Sequence, residues 1–130
     1  MSTYAVGESV SGRLYSDTVD IAGLTATGQA LGAADRYTAG FAQSVFPADG
    51  VLGMGYQSIS KYNLPPVFAN LVTQGETTAP VFAFKLASTG SELDVGGVNN
   101  ALFTGSFTFS AVAPQVRILY FSTPAHFQSC

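Results

Sequence analysis

The sequence predicts an all-β domain with one short helix, and three observations carry that expectation. Apolar and β-branched residues gather in runs too short for helices, separated by glycine-, serine- and asparagine-rich breaks. Ser106, Phe107, Thr108, Phe109 and Ser110 alternate hydroxyl and aromatic strictly, the pattern of a strand with one face buried and the other wet. Only one stretch, residues 66–74, has apolar residues at helical spacing. At 130 residues the chain has the size of a single domain, enough for one core.

Taken in order, residues 9–14 and 18–21 read as strands, and Ala22 and Gly23 form the break that turns the second into a hairpin partner for residues 24–33. Pro65 and Pro66 then precede Val67, Phe68, Leu71 and Val72, with Gly75 where a helix would be capped. Strand patterning returns over residues 81–86, 92–95 and 103–109. Residues 88–91 and 96–100 link these runs and have turn composition.

Composition excludes several classes of function. Charged residues make up 10% of the chain, against about a quarter in a typical soluble domain. The five basic residues, Arg13, Arg36, Lys61, Lys85 and Arg117, are scattered and the net charge is -3, so no patch can neutralise phosphates and no nucleic-acid partner is expected. No apolar run reaches the length of a membrane span, so no membrane partner is expected. The first residues have neither the basic nor the apolar region of an export signal. A single cysteine, Cys130, rules out an internal disulfide and a cysteine-based metal site; no metal or cofactor is expected.

The catalytic inventory is short. His126, the single histidine, stands near the end of the chain, where segments are usually mobile, and no base is placed to activate a serine. Asp17 and Asp20 read as turn and strand-end residues rather than a dyad, and Glu76 as a solvated residue after the helix. Gly53 and Gly55 lack the third glycine and the long helix of a nucleotide fingerprint.

Ala48, Asp49, Gly50, Val51, Leu52, Gly53, Met54, Gly55 and Tyr56 form a dense apolar and glycine block. Followed by the helix at 66–74, the run at 80–86, Gly96, Gly97, Val98 and Asn99, and then Phe103, Thr104, Gly105 and Ser106, it resembles in order and spacing the pepsin-like aspartic endopeptidases, particularly those of fungi. The resemblance extends back through Ser9 to Val19, which looks like the strand after the family's flap, to Tyr4. It implies that residues 1–112 are an incomplete N-terminal lobe of a pepsin-like acid protease fold. It also implies that Val51 and Leu52 belong to a strand threaded through a psi-shaped loop beside the catalytic loop. Gly53 is then expected to admit a close backbone, and Asp49 to order the backbone at the loop entrance rather than act in catalysis.

The family activates water between two aspartates, each on an Asp-Thr-Gly-type loop, because two carboxylates sharing one proton supply a base and an acid. This sequence contains no Asp-Thr-Gly; Asp17, Thr18 and Val19 come nearest but align with the strand after the flap. The first catalytic loop is expected upstream of Met1 and the second beyond Cys130, so the site has no catalytic residue in this chain, and the chain is expected to be inactive alone. Substrate contacts carried over by the resemblance are Tyr4 at the flap tip, Ala5 (where the family usually has glycine) and Val6 as flap backbone, and Val45, Phe46 and Val51 as subsite walls. The implied partner is a peptide or protein substrate, and the family is typically secreted or vacuolar.

Residues 113–130 do not resemble the strand joining the family's two lobes and are expected to be disordered or loosely docked; a shifted frame or a retained intron accounts for them more readily than a different tail. Uncovered sheet edges are expected to promote self-association. The alternative to an aspartic endopeptidase fragment is a stand-alone non-catalytic β-domain that binds an extended peptide.

Overall fold

The break at Ala22 and Gly23 makes the longest feature of the fold. In the computed structural model, which describes residues 2–3, 8–107 and 126–129, β2 (Ser9–Ile21) and β3 (Leu24–Tyr37) pair antiparallel, and β1 (Ser2–Thr3) joins the other side of β2. In place of the two short strands expected over 9–14 and 18–21 there is one continuous strand, because Tyr15, Ser16 and Asp17 keep their partners Leu31, Ala30 and Gln29. Ile21 faces Leu24 across a two-residue turn in which Ala22 has φ 52° and Gly23 φ 78°. Positive φ at both central positions gives a turn whose twist matches the flanking strands. Ala22 carries a Cβ there, which costs about 1–2 kcal/mol relative to a right-handed conformation.

Two bulges bend this ribbon. One inserts Asp35 into β3 between the pairs Ser11–Arg36 and Gly12–Ala34; the other sets Thr27 and Gly28 opposite Thr18 alone. At the first, β3 passes so close to Gly12 that a Cβ there would overlap the Ala33 carbonyl and lie 2.9 Å from Ala34 Cα. The close backbone approach expected at Gly53 is not found: the space around Gly53 is open among the described residues. Residues 51–54 are in no strand, and Val51 and Leu52 are 65% and 45% exposed. The reason is that no described strand passes beside this segment, so the psi-shaped threading has no partner backbone here.

The helix α1 (Val67–Thr73) falls where its apolar spacing and caps put it, with Pro66 and Gln74 as cap residues. Its end is a Schellman motif. The Glu76 N–H donates to the Leu71 carbonyl at 2.9 Å and the Gly75 N–H to the Val72 carbonyl at 3.1 Å, with Gly75 at φ 76°. Val67, Phe68 and Leu71 are buried. Val67 and Leu71 pack with Ala26 of β3, joined by Val19, Ile21, Leu24, Met54 and Val95.

Side-chain amides tie α1 to β3. Gln29, 4% exposed, accepts from Asn70 Nδ2 at 2.7 Å and donates to the carbonyls of Ala30 and Pro65. At the second bulge, the Thr27 N–H donates to Gln74 Oε1 at 3.0 Å while Gln74 Nε2 donates to the Thr27 carbonyl at 2.9 Å. One side chain thus pairs with Thr27 as a neighbouring strand would.

The second sheet has the order β5-β4-β6, all antiparallel: β4 (Val81–Lys85) lies between β5 (Glu92–Val95) and β6 (His126–Ser129). Phe82 of β4 meets Phe68 of α1 edge to face at 4.9 Å, so the helix touches both sheets. The turn after β5 is held by Asn99, whose N–H donates to Asp94 Oδ2 and whose Nδ2 donates to Glu92 Oε1. The strand expected over 103–109 is not formed over 103–107: Gly105, at φ 95°, turns the chain and brings Phe103 against Phe107 at 4.8 Å, while residues 108 and 109 lie outside the described residues. Of the segment set apart as 113–130, residues 113–125 and 130 likewise lie outside them.

The architecture is thus mostly strands with one short helix, as the sequence patterning predicts. We expect Gly12→Val to lower stability by about 1–3 kcal/mol through forced overlap, Gly53→Val to change it by less than about 0.5 kcal/mol, and Ala22→Asn to raise it by about 0.5–1 kcal/mol. Urea unfolding midpoints check the three together; equal losses for the two glycine variants contradict the assignment of the close contact.

Candidate functional site

Beyond Tyr37 the chain leaves β3 and runs through a short 3-10 turn at Ala39–Phe41. Two bonds close the start of this excursion: the Thr38 N–H donates to the Ser9 carbonyl at 3.1 Å, and the Ser9 N–H donates to Thr38 Oγ1 at 3.0 Å. A tighter reverse follows, in which the N–H groups of Val45 and Phe46 both donate to the Ala42 carbonyl at 2.8 Å. That reverse folds Phe46 back on Phe41, ring edge to ring face at 5.7 Å and 72°.

Of the residues singled out from the sequence, Phe46 is therefore half-buried in an aromatic pair, whereas Val45 is 66% exposed in the same turn and Val51 projects from the uncovered segment six residues on. Leu52 is exposed beside it, and Met54, two residues further on, turns inward to the core. Tyr4, Ala5 and Val6 lie outside the described residues. Asp49 is exposed and makes no hydrogen bond among the described residues, so the backbone-ordering role expected of it is not seen.

The carboxylates are used locally. Asp17 accepts from the N–H of Thr18, Asp20 from the Thr25 hydroxyl at 2.6 Å, and Glu92 and Asp94 hold the turn at Asn99. Among the described residues no group of three His, Cys, Asp or Glu side chains is placed to hold a metal ion, and no helix is long and apolar enough to cross a membrane.

Sequence reasoning assigned no supporting role to Glu8, Thr38, Gly40 or Phe41. The Glu8 carboxylate accepts from the Thr38 hydroxyl and, at 3.2 Å, from the Gly40 N–H, linking the start of β2 to the turn that carries Phe41 and Phe46. The available signal was the string Thr38, Ala39, Gly40 after a strand, a turn composition; nothing in it points to a glutamate 30 residues earlier. Val45 and Val51 are thus exposed apolar side chains, and the turn that bears Val45 is backed by the Phe41–Phe46 pair.

Comparison with known proteins gives the family. The sequence profile of the family described as eukaryotic aspartyl protease matches residues 2–124. An aspartic protease of Phaffia rhodozyma is 40% identical over 110 residues, covering 85% of this chain and 27% of that protein. Pepsin A of Sus scrofa is 36% identical over 114 residues, covering 85% and 29%, and cathepsin D of Dictyostelium discoideum 35% identical over 105 residues, covering 78% and 27%. The chain spans somewhat more than a quarter of the length of these relatives. We expect Val45→Thr and Val51→Thr to leave stability within about 0.5 kcal/mol, and Phe46→Ala to cost about 1–3 kcal/mol through loss of its ring partner. Thermal unfolding checks this; a large loss at either valine assigns it to the core instead.

Proposed function

The chain belongs to the eukaryotic aspartyl protease family, and from that membership we propose that it is part of the N-terminal lobe of an aspartic endopeptidase, supplying one wall of the cleft that holds an extended peptide. The observation that carries the proposal is the family match over residues 2–124 in a sequence without an Asp-Thr-Gly loop. In the complete enzyme, peptide-bond hydrolysis proceeds by attack of water held between two carboxylates. One carboxylate removes the proton from the water and the other protonates the leaving amine. On this reading neither carboxylate comes from this chain: Asp17, Asp20 and Asp94 are bonded locally at turns and strand ends, and no aspartate stands in an Asp-Thr-Gly string.

What this chain contributes is recognition. Val45 and Val51 offer apolar surface to substrate side chains, and Phe46, propped by Phe41, stiffens that surface. Carried over from the family, Tyr4 would close over the bound peptide, and the backbone of Ala5 and Val6 would pair with it as a strand. Secretion or a vacuolar location follows for the complete protein if it behaves as its family does.

The exposure of Val45 and Val51 also favours a second reading, a non-catalytic β-domain that holds an extended peptide. The two differ in what a complete gene encodes: an Asp-Thr-Gly loop before this segment and another after it belong to the first reading only. For the chain itself, we expect no pepstatin-sensitive cleavage of an apolar peptide at acid pH, because loss of the water-activating pair removes the chemical step itself. Cleavage by the stringently purified chain, blocked by pepstatin, would overturn the assignment of the catalytic groups to other parts of the enzyme.

A further inference from the structure

We propose that Glu8 is a positioning residue for the aromatic side of this face. Its carboxylate caps the Ala39–Phe41 turn, which leads directly into the reverse bearing Val45 and Phe46, and fixes that turn against the start of β2. The inference rests on reading Val45 and Phe46 as peptide-contacting residues.

The turn at Ala39–Phe41 begins at Thr38, a residue type that commonly caps a helical turn through its own hydroxyl. Here Thr38 makes no such bond: its hydroxyl donates to the Glu8 carboxylate and accepts from the Ser9 N–H. The cap is supplied instead from the neighbouring strand, since Glu8 Oε2 accepts from the N–H of Gly40, the second residue of the turn. A carboxylate makes this cap stronger than a hydroxyl does, because hydrogen bonds to an ionised acceptor exceed neutral ones.

The seat is also shaped for the carboxylate. A Cβ on Gly40 would lie 2.6 and 2.8 Å from the two Glu8 oxygens, so an alanine there would displace the group. Glu8 is half-buried, as are Thr38 and Gly40. One residue beyond the seat comes Phe41, whose ring meets Phe46, and Val45 and Phe46 are then fixed by the Ala42 carbonyl. The position of the face relative to β2 therefore depends on a bond 32 residues apart in sequence.

The test is amide hydrogen exchange by NMR on the full chain and on Glu8→Ala, Glu8→Gln and Gly40→Ala. Glu8→Ala and Gly40→Ala are expected to speed exchange at Gly40, Val45 and Phe46 by about tenfold or more, while Gly75 and Glu76 at the end of α1 keep their protection. Glu8→Gln, which retains a carbonyl acceptor, is expected to recover part of the loss. Unchanged exchange at Gly40 and Phe46 in Glu8→Ala overturns the proposal.

A second measurement separates the cap from the reading of the face. When an extended apolar hexapeptide is titrated into the wild-type chain, shifts are expected at Val45 and Phe46, with affinity several-fold weaker in Glu8→Ala and partly restored in Glu8→Gln. Shifts at Val45 and Phe46 in the wild type with unchanged affinity in Glu8→Ala overturn the role of Glu8 alone. Wild-type shifts that miss both residues overturn the peptide-contacting reading, and leave Glu8 only as a cap.

Discussion

A helix of seven residues does not hold itself together in water, since forming its first turn costs more than a few later bonds return. The burial of Leu71 and Val67 against Ala26, and the side-chain amides of Asn70 and Gln74 on Gln29 and Thr27, are what make α1 a helix at all. Much else depends on this junction. Through Phe68 and Phe82 the helix carries contact from the β2–β3 ribbon to the second sheet. The buried Gln29 is tolerable because its amide oxygen and nitrogen both have partners. Removing Asn70 alone would leave a buried acceptor unpaired, a heavier loss than the bond itself.

The parts of the fold legible in the sequence are those whose chemistry is local. Ala22 and Gly23 announce a two-residue turn, and Gly75 announces the helix end, because a few adjacent residues decide the backbone angles there. The bulges were not legible: an inserted Asp35, or Thr27 and Gly28 set against Thr18 alone, depends on which residue lies opposite, and that is set across the whole ribbon. Over residues 103–107 a positive φ at Gly105 and the meeting of Phe103 with Phe107 replace the expected strand, while Thr108, Phe109 and Ser110 of the alternating stretch lie outside the described residues.

The candidate site residues rest on a different kind of signal. Val45, Phe46 and Val51 have no chemical signature of their own and were reached through a resemblance that spans several motifs. What the resemblance did not provide was the support behind them. Glu8 reads as an ordinary surface glutamate, and Gly40 as an ordinary turn glycine; their fit is visible only when the end of β3 returns beside the start of β2. At Gly53 the close backbone approach that the resemblance implied has no counterpart among the described residues.

The clasp of Gln74 on Thr27 has a consequence for the order in which the chain assembles. Ribbon contacts between β2 and β3 grow outward from a two-residue turn, so each new pair closes almost no additional loop, and hairpins of this kind form in about 1–10 μs. The clasp joins residues 47 apart, and its loop must be closed at an entropic cost before any bond rewards it. We expect the ribbon to form first and the helix to dock on it later, since Gln74 finds its partner only once Thr27 is presented at the bulge.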